Sequence, residues 1–135
     1  MIKYIINTPY GSNIIKENEI IESKDSNLSI IKKICLDNLF TYDGYLKAIN
    51  KIFNKKHNIP VYVNKKNLFI PLKRVRDYDN IWINYASILT YKSYDKKTLI
   101  IFNDYEKMII NLKYDLFKKR VELLSNIIMY KNINI

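Results

Sequence analysis

Glycine is nearly absent from this chain: Gly11 and Gly44 are the only two in 135 residues. Loops that cradle phosphates need several, for tight turns and close backbone approach, so Walker and Rossmann loops are excluded. Cysteine and histidine are scarcer still, with Cys35 and His57 the sole examples. A lone cysteine forbids an intrachain disulfide and fits a reducing compartment. One Cys and one His cannot build a typical structural zinc site, and no spaced carboxylate cluster points to another metal. No cofactor is therefore expected. Cys35 lies in the apolar run Ile30, Ile31, Ile34 and Leu36 and reads as an inert buried thiol. His57, among Lys55, Lys56 and Asn58, reads as a solvated turn. Long apolar runs are missing too: none approaches the roughly 20 residues that span a bilayer. Met1 to Ile6 is too short for a signal-peptide core before Asn7, Thr8 and Pro9 interrupt it. A soluble cytoplasmic protein with no membrane partner is the expectation. The acids of Asp77-Tyr78-Asp79 and Asp104-Tyr105-Glu106 fall in turn-like polar segments and read as solvated loops, which leaves no basis for an enzyme.

What is present is apolar and basic. Hydrophobic residues make up 48% of the chain, enough for a packed core in the single domain that this length predicts. The formal charge is +10. From Lys24 to Arg76 there are twelve basic side chains against three acids, a local excess of +9. The first 23 residues carry −1 and residues 77–135 carry +2. A/T-rich coding bias explains part of the lysine load, since Asn, Ile and Tyr are also abundant. It does not explain the scarcity of carboxylates in the central stretch. That block is the electrostatic footprint of a polyanion binder.

Periodicity predicts an α+β fold: a small, mostly antiparallel sheet with one central helix and one C-terminal helix. Short strands are expected at Lys3–Ile6, Ile14–Ile15 and Ile20–Glu22, with a turn near Pro9 to Ser12. Leu28–Cys35 is read as a further strand, although its adjacent isoleucines blur the period. Asn38–Asn54 is read as a helix, with Leu39, Tyr42, Leu46, Ile49 and Phe53 on one face. Lys47, Lys51 and Lys55 then line another face, and Asp43 is placed to pair with Lys47. Gly44 marks a candidate break. Strands follow at Ile59–Val63 and Asn67–Ile70, around a turn at Asn64 to Lys66, and at Ile81–Tyr85. Pro60 and Pro71 suit strand starts or edges. Thr98–Phe102 and Lys107–Leu112 form a last hairpin. A helix over Tyr114–Met129 carries the stripe Phe117, Val121, Leu124 and Ile128, widened by Leu116, Leu123 and Ile127, and is expected to cover the sheet.

The order of these pieces resembles the ComK-type competence transcription factors of Gram-positive bacteria, over roughly residues 13–128. Cys35 precedes an aromatic-rich segment ending in Tyr42-Asp43-Gly44-Tyr45-Leu46-Lys47. Asn58-Ile59-Pro60-Val61-Tyr62-Val63 is similar to the family's Pro-Ile strand, and Asn67-Leu68-Phe69-Ile70-Pro71 to its aromatic-Phe-Pro segment. Asn80-Ile81-Trp82-Ile83-Asn84-Tyr85-Ala86-Ser87-Ile88 resembles its Trp-Ile-Ser block. The chain departs from the pattern where Tyr45 and Leu46, not Arg, follow Gly44. It departs again where Leu72-Lys73-Arg74 replaces a Thr-x-Ser element. The C-terminal region of longer members, used in activation and proteolytic delivery, is expected to be lacking.

The resemblance implies a regulator that binds double-stranded A/T-rich DNA, chiefly in the minor groove, as a homodimer or higher oligomer, and activates competence genes. Narrow A-tract grooves attract inserted cations, which suits the composition. The candidate DNA-binding residues are Lys47, Lys51, Lys55, Lys56, Lys65, Lys66, Lys73, Arg74 and Arg76. Arg74 and Arg76 are the expected groove probes, because guanidinium is planar and weakly hydrated. The alternative is a protein-interaction module, of mobile-element origin or otherwise, that pairs with a full-length relative or antagonises another regulator or a nuclease. RNA binding finds support only in the plentiful Tyr and Phe.

Overall fold

The computed structural model describes residues 1–133. In chain order the elements are β1 (Ile2–Thr8), β2 (Gly11–Lys16), β3 (Ile20–Ser23), α1 (Asn27–Asp37), α2 (Tyr42–Phe53), β4 (Val61–Asn64), β5 (Asn67–Pro71), β6 (Ile81–Asn84), β7 (Ile88–Tyr94), β8 (Lys97–Phe102), β9 (Lys107–Ile110) and α3 (Tyr114–Ile133). The first six strands make one antiparallel sheet in the order β3-β2-β1-β6-β5-β4, and the last three make a meander, β7-β8-β9. The class is the expected α+β, but with two sheets, and with a helix (α1) in place of a predicted strand.

Strand alternation explains why the central sheet is buried on both faces. Ile5 pairs with Trp82 in register, and with Phe69 and Val61 they face the helices, packing against Ile31 and Cys35 of α1 and Tyr42, Tyr45 and Ile49 of α2. The alternate residues Tyr4, Ile83 and Ile70 face the other way. There they meet Ile100, Phe102 and Ile110 of the meander and Phe117, Val121 and Leu124 of α3. The order is therefore helices α1 and α2, central sheet, then the meander with the first half of α3. The later turns of α3 reach the helix side, where Ile127 joins the core of α1 and α2 and Tyr130 meets Phe53. Trp82 and Asn84 share one side of β6, as the alternation predicts, and both are fully buried.

Leu28–Cys35, expected as a strand, is helical. Ser26 caps α1 by accepting a hydrogen bond from the Ser29 N–H, and Ile30, Ile31 and Cys35 form its buried face. Adjacent isoleucines satisfy the two-residue width of a helical stripe as readily as a strand, and here the cap decides. Asn27 is locked from both ends: its N–H donates to Asn7 Oδ1 at 2.8 Å and its Nδ2 to the Asn80 carbonyl at 2.6 Å.

The second helix starts later than its apolar spacing suggests. Thr41 Oγ1 accepts the Gly44 N–H at 3.0 Å, so the helix begins at Tyr42. Leu39 lies outside it with φ 69° and is 96% exposed, and Tyr45 takes its place in the core. Gly44 is no break; it is the residue whose N–H the cap requires. Asn54, in the left-handed region, ends the helix, so Lys55 leaves the Lys47 and Lys51 face. The Asp43–Lys47 pair does not form among the described residues.

Later elements follow expectation more closely. The Asn64–Lys66 turn joins β4 to β5, with Asn64 opposite Asn67. Pro60 precedes the edge strand β4, and Pro71 is the last residue of the interior strand β5. Strand β7 has no counterpart in the periodicity reading; long pairing with β8 defines it. Helix α3 does cover the sheet and runs on to Ile133. Ile127 is buried whereas Ile128 is only half-buried and Leu116 is exposed, so the stripe is rotated from the predicted one. Arg120 ties α3 to the sheet by donating to the Pro71 carbonyl at 2.7 Å.

Candidate nucleic-acid interface

Four separate segments close around a cleft of about 780 Å³ on the helix side of the central sheet. Leu28 and Lys32 come from α1, and Tyr42, Asp43 and Leu46 from the first half of α2. The α2–β4 loop adds Lys56 to Ile59, and the β5–β6 loop adds Arg74 to Asp77. Leu28, Tyr42, Leu46, Ile59 and Val75 supply an apolar lining, and Lys32, Lys56, Arg74 and Arg76 supply positive charge.

The β5–β6 loop is held in place by one buried side chain. Asn80 Oδ1 accepts the N–H groups of both Leu72 and Lys73, at 2.9 and 2.8 Å. Backbone bonds from Asp77 to the Arg74 carbonyl and from Asn80 to the Asp77 carbonyl wind the loop into two successive turns. Arg74 Nε donates to Asp77 at 3.2 Å while the side chain stays exposed. Arg76 is exposed and makes no ion pair within 4.0 Å among the described residues. Of the cleft's two acids, Asp77 is thus engaged by Arg74, and Asp43 alone opposes Lys32, Lys56 and Arg76.

Tyr42 joins the cleft to the core. Its ring meets Trp82 edge-on at 6.3 Å. Burial is the main reason its hydroxyl is pushed up to about 12; Cys35 and Asp43 add to the shift and Arg76 opposes it. The phenol therefore stays protonated. Cys35 is wholly buried beneath, with its thiol pushed up by burial to about 11. Among the described residues no group of three His, Cys, Asp or Glu side chains is placed to hold a metal.

The nine predicted contact residues do not form one patch. Lys56, Arg74 and Arg76 line the cleft. Lys73 adjoins it but is ion-paired with Asp79. Lys47 and Lys51 are exposed on α2, and Lys55 is exposed in the loop after it. Lys65 and Lys66 occupy the β4–β5 turn, at the far end of those strands from the cleft loops, roughly 15 Å away at 3.3 Å per residue. Lys32 and His57 line the cleft but were outside the predicted set. Lys32 was legible only through a helical reading, in which it falls one turn after Leu28 on the same face.

Two helices and two loops of this α+β chain thus form one cleft that combines an apolar lining with four cationic side chains. The family model described as ComK protein matches residues 1–131, and the chain belongs to the ComK family, which is one of competence transcription factors. No curated protein and no solved structure matches it. The landmarks of the resemblance fall mainly in the core: Asn80 to Asn84 form the heart of β6 and its lead-in, and Asn67 to Pro71 are β5.

Proposed function

We propose that this chain is a transcriptional regulator that binds A/T-rich double-stranded DNA, acting in the cytoplasm as paired copies. The observation that carries the reading is the convergence of Lys32, Lys56, Arg74 and Arg76 from three segments distant in sequence, with Asp43 the one acid of the cleft that makes no ion pair among the described residues. Family membership supplies the regulatory context. Arg76, exposed and without an ion pair among the described residues, is the best-placed groove probe, because a guanidinium held on a turn inserts where the minor groove is narrow and its potential most negative. Lys47, Lys51, Lys55 and Lys56 are phosphate contacts, and Lys65 and Lys66 reach the backbone further along the duplex. The protein-pairing alternative draws on the edge strand β3, whose Ile20 and Ile21 are exposed.

Fluorescence anisotropy with A/T-box and G/C-rich duplexes, from about 50 to 200 mM salt, tests the proposal. A protein that neutralises Z phosphates gives a log K against log salt slope of about −0.9Z. A preference for the A/T duplex that persists at the higher salt supports it. Indifferent binding that vanishes with salt overturns it and directs attention to a protein partner.

A further inference from the structure

The six-stranded sheet ends in two unlike edges. At β4 the Tyr45 hydroxyl donates to the Pro60 carbonyl at 2.6 Å and accepts the Tyr62 N–H at 3.2 Å. Lys131 of α3 lies over the Tyr62 ring at 4.9 Å from its centroid, so that edge is occupied. At β3, Ile20, Ile21 and Glu22 are all exposed, Ile20 by 61% and Ile21 by 38%. The strand holds no lysine, proline or bulge, the devices that keep edge strands from pairing. The outer strands of the meander do hold them: Lys92 and a bulge in β7, Lys107 in β9.

The free hydrogen-bonding groups of β3 can be read from its pairing. The Lys16 N–H donates to the Glu19 carbonyl at 3.0 Å, so residues 16 and 19 turn their polar groups toward each other. Alternation along an antiparallel ladder makes Ile14–Ile21 and Ser12–Ser23 the next such pairs. The N–H and C=O groups of Ile20 and Glu22 therefore point away from β2. Among the described residues no hydrogen bond takes them up.

We propose that β3 pairs antiparallel with β3 of a second copy of this chain, about a twofold axis at Ile21, and so joins two six-stranded sheets edge to edge. A twofold normal to the sheet keeps the two copies' faces aligned, so only residues on the same face meet. With Ile21 opposite Ile21, Ile20 of each copy lies opposite Glu22 of the other, and their outward groups exchange four backbone hydrogen bonds. Ile21 continues the row Ile5, Ile14 on the helix side, so two isoleucines meet at the axis. An axis at Glu22 instead sets two carboxylates opposite each other, which is unfavourable, and an axis at Ile20 runs into the β2–β3 turn.

Charge also favours this edge for a like copy. The chain carries +10, yet its first 23 residues carry −1. Within the hairpin, Glu17 is paired with the Met1 ammonium and Glu19 with Lys16. Two copies thus meet where their mutual repulsion is least. No residue that lines the cationic cleft lies on β3, so the pair presents two open clefts. The inference rests on the reading that the chain acts as paired copies and names the surface that joins them.

The test uses the full chain without DNA, in two measurements. In sedimentation equilibrium over micromolar to submillimolar concentrations, the wild type should move from monomer to dimer mass. Glu22→Pro spares the bonds to β2 and by symmetry removes two of the four new ones. It should weaken association at least about tenfold while circular dichroism stays native. In the second measurement, Ile21→Cys adds a thiol to a chain whose one other cysteine, Cys35, is buried. A pair without mutual hydrogen bonds brings its Cα atoms to about 4.5 Å, within disulfide reach, so oxidised glutathione should convert Ile21→Cys to covalent dimers. Glu22→Cys, whose copies lie roughly 8 Å apart on the diagonal, should cross-link at least about tenfold more slowly. Leu39→Cys, 96% exposed elsewhere, should be as slow. A dimer that survives Glu22→Pro, with Ile21→Cys no faster than Leu39→Cys, overturns the β3 edge and leaves the paired-copy reading standing. A wild type that stays monomeric, with no preferential cross-link at Ile21, overturns both and leaves the edge to a strand of a different protein. DNA binding is scored separately by anisotropy and decides neither outcome.

Discussion

Lys3 and Asp104 are 101 residues apart in sequence and 3.0 Å apart in the fold, where β1 meets the β8–β9 turn. The ammonium, with its side chain 1% exposed, also contacts Glu106 at 3.0 Å and lies over the Phe102 ring at 4.6 Å from its centroid. Burial works against the charge on Lys3, but hydrogen bonds to Glu106 and Asp104 outweigh it and leave its pKa raised. The Lys3 hydrogen bond holds the Asp104 carboxyl below the usual range. This cluster clamps the central sheet to the meander.

The clamp makes stability depend on pH at both ends. Asp104 has a lowered pKa, so its contribution is present above the ordinary carboxylate value and is lost as pH falls through the depressed one. Lys3 has a raised pKa, so its contribution is complete below 10.5 and is lost as pH rises through the folded value. Urea midpoints measured from pH 2 to 11 should fall at both limits. Lys3→Met should flatten both limbs and remain near wild-type stability at neutral pH, because apolar replacements of buried charges are often neutral or better. Asp104→Asn/Glu106→Gln should be destabilising, because it leaves the ammonium buried without a counter-charge.

Asn84 is the second polar keystone. Its Oδ1 accepts the Leu68 and Ala86 N–H groups, and its Nδ2 donates to the Ile2 and Lys66 carbonyls. One buried amide thus joins β1, β5 and the turn after β6. Asn84→Ala should cost about 3–5 kcal/mol, at roughly 1 kcal/mol for each of several hydrogen bonds plus the groups left unsatisfied. The readout is a lower urea midpoint with an unchanged m-value.

Gly44→Ala ordinarily gains up to about 1 kcal/mol in a helix interior. Here an added Cβ would lie 2.7 Å from Thr41 Oγ1, the cap oxygen. Loss of a cap costs about 1 kcal/mol. The substitution should therefore be neutral to destabilising, whereas Ala48, exposed on the same helix, shows the ordinary preference when changed to Gly. Thermal unfolding of the Gly44→Ala and Ala48→Gly variants checks the contrast.

Cys35 should not react with a thiol reagent in the native state at pH 8. It is 0% exposed and its thiol titrates at about 11. Reaction should appear only with the urea transition, so labelling amplitude tracks the fraction unfolded.

Among the cationic residues, position in the fold separates the effects. Lys56→Gln/Arg74→Gln/Arg76→Gln should weaken A/T-duplex binding at least about tenfold and reduce the salt slope by about 3. Lys65→Gln/Lys66→Gln, at the opposite strand ends, should have a smaller effect and leave the A/T preference intact. Anisotropy titrations of both variants measure the difference.

Local chemistry made much of this legible. The β6 alternation of Ile81, Trp82, Ile83 and Asn84 predicted a strand, and the Asn64–Lys66 turn predicted the hairpin of β4 and β5. Phe117, Val121 and Leu124 predicted a helix over the sheet. Where the local signal was double, as at Ile30-Ile31, the period alone misled. The Ser26 cap and the Asn27–Asn80 contact select the helix. Leu39 matched the helical spacing, but Thr41 starts the helix beyond it.

By itself the sequence determined the strand and helix periods, the inert single cysteine, the want of a phosphate loop and the basic block between Lys24 and Arg76. Each depends on residue type or on neighbours within a few positions. Only the tertiary structure decided that Lys32, Lys56, Arg74 and Arg76 share a cleft while Lys65 and Lys66 do not. It alone also drew Asp104 and Glu106 onto Lys3. The reason is that charge composition is a property of the chain, whereas an electrostatic surface depends on which strands pair and which carboxylates the packing engages.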